Sequence, residues 1–127
     1  MKTILPKFKF KGTPTVINAP INFSKECIEL GFTTAFDKKI KSKDTLFFVN
    51  NKKELLNFLE KNLNNVELDS VLWFAYPKGT SGIKTDINRD VLRETAEVYG
   101  ITTVTAISIN DIWSALRFRP INRVGKK

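Results

Sequence analysis

The chain has 127 residues and a formal net charge of +8, with 42% hydrophobic residues, ten Phe, one Cys and no His. That is enough for one domain with its own core, and it is not the composition of a disordered chain. Without histidine there is no imidazole base, no His metal ligand and no Ser-His or Cys-His pair, and one cysteine excludes an intrachain disulfide and every multi-cysteine metal scheme.

The charge is uneven. Residues 1–53 carry eleven Lys against four acids, residues 54–116 carry five bases against nine acids, and residues 117–127 carry five bases and no acid. The reading is a basic arm over residues 1–14, one domain over 15–120 and a basic tail over 121–127. Basic ends could attract nucleic acid or an acidic partner, but a lysine-rich solvated surface is the favoured reading. No apolar run approaches the roughly 20 residues of a membrane span. The start, MKTILPKFKFKG, lacks the apolar centre of a secretory signal, so a cytoplasmic protein is expected. Cys27 is expected to be a buried, inert thiol.

In chain order, Phe8 and Phe10 alternate with Lys9 and Lys11 in an edge strand or a loose arm. Thr15–Ala19 is β-branched and stopped by Pro20, which predicts a first strand. Asn22 or Ser24 is expected to cap a short helix ending at Leu30, with Gly31 in the C′ position. Phe32–Phe36 is read as a further strand, and Asp37–Asp44 as an exposed, mobile loop. The run TLFFV (Thr45–Val49) predicts a strand covered on both faces. Asn51 and Glu54 form an expected capping box for a helix with Leu55, Leu59 and Leu63 on its apolar stripe, Leu56 and Val66 beside them.

Val71–Tyr76 is a second fully apolar strand. A Pro-Lys-Gly turn and a polar loop follow, leading to a helix expected to start at Asp86. Its apolar positions are Ile87, Val91 and Val98 with Leu92, Ala96 and Tyr99, and Gly100 stops it. Ile101–Ile109 is the next strand, and Asn110-Asp111 turns it back into Ile112–Phe118 as an antiparallel hairpin. The alternation puts Ser114, Leu116 and Phe118 on one face of that strand, and Trp113, Ala115, Arg117 and Arg119 on the other. Arginines on one face suggest an edge position or a partner surface, with a sheet edge protected by charge the favoured reading. The alternation of apolar strands with helices predicts an α/β fold: three-layer, Rossmann-like, with a mainly parallel sheet, helices on both faces and a C-terminal antiparallel hairpin strand.

The block WFAYPKGTSGIKTDINRDVLRETAEVYG and the run WSALRFRP resemble a family of small bacterial proteins catalogued as a domain of unknown function. The NAP of Asn18–Pro20 and its spacing to Phe47–Asn50 resemble it too. This likeness spans most of residues 15–120 and implies a fold but no activity. A looser similarity is to the C-terminal half of Rossmann-like, S-adenosylmethionine-dependent methyltransferases, whose series also ends in an antiparallel strand. This chain lacks their glycine-rich turn and their ribose-binding acid. It also lacks G-x-G-x-x-G and G-x-x-x-x-G-K-[ST], so no cofactor and no metal are predicted.

In an open parallel sheet, ligands bind beyond the carboxyl ends of the strands. Those ends carry Asn18, Asn50 and Lys78, and the adjoining loop and strand starts add Ser81, Asp86 and Trp113. Together they make a candidate rim pocket for a small anionic ligand, with Lys78 supplying charge, loop amides supplying donors and Trp113 as an apolar wall. The structural alternative is a shaped turn, a helix cap at Asp86, a solvated Lys78 and a core Trp113. Arg117 and Arg119 are not expected to reach that rim, because Arg119 lies about 20 Å along its strand. The favoured function is a non-enzymatic binding or interaction module, monomeric or homodimeric, whose partner is a small anion or a protein. One alternative is an enzyme using Lys78 with Asp86 or Asp90 on a small anionic substrate. The other is nucleic-acid binding through the basic ends.

Overall fold

The computed structural model describes residues 4–37 and 39–123. Residues 1–3 of the basic arm, Lys38 in the lysine-rich loop, and residues 124–127 with Lys126 and Lys127 of the basic tail lie outside the described residues.

Among the described residues, five strands form one mixed sheet: β1 Thr15–Ile17, β2 Ser42–Phe48, β3 Val66–Pro77, β4 Ile101–Ser108 and β5 Trp113–Pro120. The strand order is β1-β2-β3-β5-β4. β1, β2 and β3 are parallel, while β5 runs antiparallel to both β3 and β4. β4 therefore points the same way as β3. The fold is α/β.

Among the described residues, four helices cover the sheet: α1 Leu5–Phe8, α2 Ile21–Glu29, α3 Lys52–Lys61 and α4 Arg89–Glu97. One core cluster joins Leu55, Phe58, Leu92 and Ala96 of α3 and α4 to Phe47, Phe74, Leu116 and Phe118 of the sheet. The opposite cluster joins Phe8 of α1 and Cys27 of α2 to Leu46, Phe48, Trp73, Trp113 and Ala115. Residues 44–49 and 71–75 are buried without a break. This is why those segments read as continuous apolar runs: both faces of β2 and β3 are covered. Among the described residues, no helix is long and apolar enough to cross a membrane.

Several local expectations are corrected. Pro20, with φ −56°, is the N-cap of α2, and neither Asn22 nor Ser24 caps it. The first turn closes through Ser24 N–H donating to the Pro20 carbonyl at 2.8 Å. Gly31 follows the helix at φ +78°, the left-handed conformation open to glycine. Phe32–Phe36 is not a strand. Only Thr33 bridges β1, opposite Thr15, with Val16 N–H donating to the Thr33 carbonyl at 2.8 Å.

The loop expected over Asp37–Asp44 ends early, because β2 begins at Ser42 and Asp44 is buried. The backbone amides of Lys11 and Gly12 donate to the Asp44 carboxylate at 2.8 and 3.1 Å, so the acid is buried with partners. β3 also begins earlier than its apolar run, at Val66. Its register against β2 jumps between Ser42↔Val66 and Asp44↔Val71. The extra residues loop out through Asp69 at φ +56°, and Arg119 clamps that carboxylate with Nε and Nη2 at 2.8 and 3.0 Å. This bidentate bond holds the Asp69 carboxyl below its usual range.

Helix α4 starts at Arg89, not Asp86. Asn88 is its cap and accepts from Val91 N–H at 2.9 Å. Leu92 and Ala96 are its buried residues, whereas Val98 lies at the C-cap and is 82% exposed. The hairpin turn is set by Asn110, whose Oδ1 accepts from Ile112 N–H and Trp113 N–H at 2.9 Å each. β5 is an interior strand, not the expected edge, since it fills the slot between β3 and β4. The outer strand on that side is β4.

Candidate functional site

The carboxyl ends of β1, β2, β3 and β4 and the start of β5 form one rim, but the residues expected there fall into separate groups. Asn18 leaves β1 at φ +63°, a conformation that asparagine tolerates better than most residues. Its Nδ2 donates to the Phe48 carbonyl and to Glu54 Oε1, both at 2.9 Å. The same Glu54 oxygen accepts from Asn50 N–H at 2.9 Å and from Asn50 Nδ2 at 3.1 Å. The capping box thus closes differently from expectation. Asn51 Oδ1 accepts from Glu54 N–H at 2.8 Å, but the Glu54 carboxylate returns to Asn50 instead of Asn51.

Asp86 belongs to this same corner. Its Oδ1 accepts from Lys52 N–H at 2.8 Å, capping the first turn of α3 from a distant loop. Thr85 Oγ1 donates to the Asn50 carbonyl at 2.6 Å and fixes that loop beside it. Asn18, Asn50 and Asp86 are therefore brought together around Glu54 and the α3 N-terminus. Sequence reasoning saw Glu54 only as a capping residue; its spacing from two asparagines at strand ends gives no sign that it collects both.

Lys78 sits elsewhere on the rim. Its Nζ donates to Ser108 Oγ at 2.6 Å, and its backbone N–H donates to the Ile112 carbonyl at 2.7 Å. Register places Tyr76, Ser114 and Ser108 side by side across β3, β5 and β4. Burial pushes the Tyr76 phenol up from its usual range, opposed by the nearby Arg89 charge and by the Ser114 hydroxyl. Ser108 was not singled out from the sequence, and only strand order makes it a neighbour of Ser114. Ser81 Oγ accepts from Ile83 N–H at 3.2 Å within its own turn. Trp113 is buried against Phe48, edge to face at 5.1 Å, so it is a core aromatic instead of a rim wall.

Of four clefts, only the one past Asn18 and Glu54 touches this rim. One of about 430 Å³ adjoins Gly12, Thr33 and Asp44, and one of about 390 Å³ adjoins the Asp69–Arg119 clamp. One of about 310 Å³ runs between β1 and α3 past Asn18 and Glu54. One of about 260 Å³ lies between α4 and β4, with Arg89 and Arg93 on its wall and Thr103 to Ala106 and Leu116 on its floor. Lys78, Ser81, Asp86 and Trp113 line none of these four. Cys27 is fully buried, and burial, with the Glu26 charge adding, pushes its thiol up to about 11. Among the described residues, no group of three or more His, Cys, Asp or Glu could hold a metal ion.

Comparison of the chain with protein-family models, with curated proteins and with solved structures finds no match.

Proposed function

We propose that the protein is a non-enzymatic binding module that docks an extended segment of a partner polypeptide on the outer edge of β4. One observation carries this reading. The eight residues Ile101–Ser108, ITTVTAIS, form an outer strand with no charge, proline or glycine. Proteins ordinarily block such an edge with lysine, proline or a covering element, because its unpaired N–H and C=O groups template another strand. A register shift between Thr103 and Thr105 is the one irregularity in β4's pairing with β5.

The ladder indicates which groups are open. Ile109 N–H donates to the Trp113 carbonyl at 2.9 Å. Antiparallel alternation then directs the N–H and C=O of Ala106 and Ser108 outward. Addition of a strand to such an edge is a recurrent way of recognising peptides.

Ala106→Pro removes only an outward N–H and sets a ring where the added strand must lie, so it should leave the internal ladder whole. Peptides selected from a displayed random library on the wild-type protein are expected to bind this variant at least about tenfold more weakly. Undiminished binding would remove β4 as the docking edge.

A second reading places a small anion at the corner of Lys78, Ser108, Ser114 and Tyr76, with Arg89 nearby. The cross-strand polar row and the 2.6 Å Lys78–Ser108 contact favour it. Calorimetric titration with inorganic phosphate is then expected to give heat that Lys78→Ala abolishes. No heat with the wild-type protein would end this reading. The antiparallel last strand supports the looser likeness to the methyltransferase half-domain as a proposal about topology alone.

A further inference from the structure

We infer that the segment docked on β4 is acidic, with carboxylates on alternate residues that enter the cleft walled by Arg89 and Arg93. This rests on β4 being the docking edge. The cleft of about 260 Å³ lies along β4 itself, so side chains of an added strand on the α4 side would point into it. Thr103 pairs with Phe118 and Ala106 with Leu116, which puts both on the face that α4 covers.

The spacings match. Arg89 and Arg93 are four residues apart on α4, about 6 Å along the helix axis at 1.5 Å per residue. Alternate side chains of a strand repeat every ~6.6–6.8 Å. Two successive carboxylates on one face of the added strand can therefore meet two successive guanidinium groups. Inside the chain those arginines are weakly engaged. Arg93 lies 3.7 Å from Asp90 and 4.0 Å from Glu94, both of which are more than two-thirds exposed.

The β4 edge also has a direction. Thr102 Oγ1 donates to Glu97 at 2.5 Å, which places an acid at the start of β4. Arg89 and Arg93 line its middle, and Lys78 reaches Ser108 at its end. An added strand should thus carry its acids toward Ser108 and neutral residues toward Thr102. On the other face, Arg117 of β5 lies beside Thr105, and its Nε is buried without a hydrogen-bond partner. Thr105 is small, so a carboxylate on that face of the added strand could approach Arg117 across it. Arg119 is not available for this, being clamped on Asp69. A second copy fits less well than an acidic segment, since ITTVTAIS brings no carboxylate to either face.

The test is selection of a phage-displayed library of random twelve-residue segments on the full chain, read against the double variant Arg89→Gln/Arg93→Gln and against Ala106→Pro. Wild-type selections are expected to enrich Asp or Glu at alternate positions. Those peptides should bind the double variant about tenfold or more weakly, and raising salt should narrow the difference. Amide exchange on the unsubstituted protein should show new protection at Ala106 and Ser108 when peptide is added, which does not depend on any variant folding. Selected peptides without acidic enrichment, or indifferent to the double variant while still lost in Ala106→Pro, would overturn the acidic occupant and leave the docking edge standing. Binding that ignores Ala106→Pro and protects neither amide would overturn both. A dimer in sedimentation that the peptides dissociate would overturn the acidic segment in favour of a second copy.

Discussion

Replacement of Phe74 by alanine is expected to lower the urea midpoint of unfolding by about 2 M. Such a truncation costs about 3–5 kcal/mol when the site cannot collapse, and a urea slope of about 1–3 kcal/mol/M converts that into the midpoint. Phe74 is fully buried near the middle of β3, between β2 and β5. Its ring stands edge to face against Phe47 at 6.0 Å, Phe58 at 5.3 Å and Phe118 at 5.0 Å. Those neighbours come from β2, α3 and β5, so no single element can move in to fill the space. A loss of this size is a large share of the roughly 5–15 kcal/mol that holds a domain folded. Val98→Ala is the matched comparison, because the sequence pattern placed both residues in the core, Phe74 in an apolar strand and Val98 among the apolar positions of a helix. With Val98 82% exposed, that variant should stay within about 0.5 kcal/mol of wild type. Equal midpoints for the two variants would contradict the packing.

What could be read from the sequence was what local chemistry dictates. The runs around Phe47 and Phe74 announce strands covered on both faces, and Asn51 marks a helix start where it is found, whereas α4 ends at Glu97, three residues before Gly100. What could not be read was non-local. Arg117 and Arg119 suggested an edge because charge at a sheet margin is common. In the fold, the crossover from β3 through α4 to β4 leaves a slot that β5 enters, and β4 becomes the margin. Asp86 looked like the cap of the helix that follows it, yet Asn88 serves that role and Asp86 caps α3. Either residue suits an N-cap, and only the path of the loop decides between them.

The candidate site divides in the same way. Asn18 and Asn50 were legible as strand ends, because β-branched or apolar runs stop there. That both donate to Glu54 follows from β1 and β2 being parallel neighbours, which no local pattern states. Lys78 was legible as a rim cation, whereas its partner Ser108 depends on strand order. Trp113 alternates in phase with Ala115, and both join the cluster opposite α3 and α4. That phase, followed through, marks it as core.

Removal of residues 1–12 is expected to damage the fold more than Phe74→Ala, although composition presents this stretch as a basic arm. Phe8 is fully buried, stacks on Phe10 at 5.1 Å and meets Trp73 edge to face at 5.4 Å. Trp73 Nε1 donates to the Phe8 carbonyl at 2.9 Å, across 65 positions of sequence. Lys11 and Gly12 supply the amides on the buried Asp44. The truncation therefore removes a core aromatic and leaves an indole N–H and a carboxylate without partners. The first change alone costs about 3–5 kcal/mol, and each orphaned polar group about 1–3 kcal/mol if it stays buried. Water entering over Trp73 relieves part of the second cost by giving up part of the core. In a Trp113→Phe background, Trp73 is the remaining indole and reports directly on this face. Its emission is expected to shift to the red on truncation, with the urea transition broadened or lost. A truncated chain with unshifted emission and the parent midpoint would make the segment an appendage. Phe8→Ala separates the two contributions, because it deletes the ring and keeps the carbonyl that accepts from Trp73.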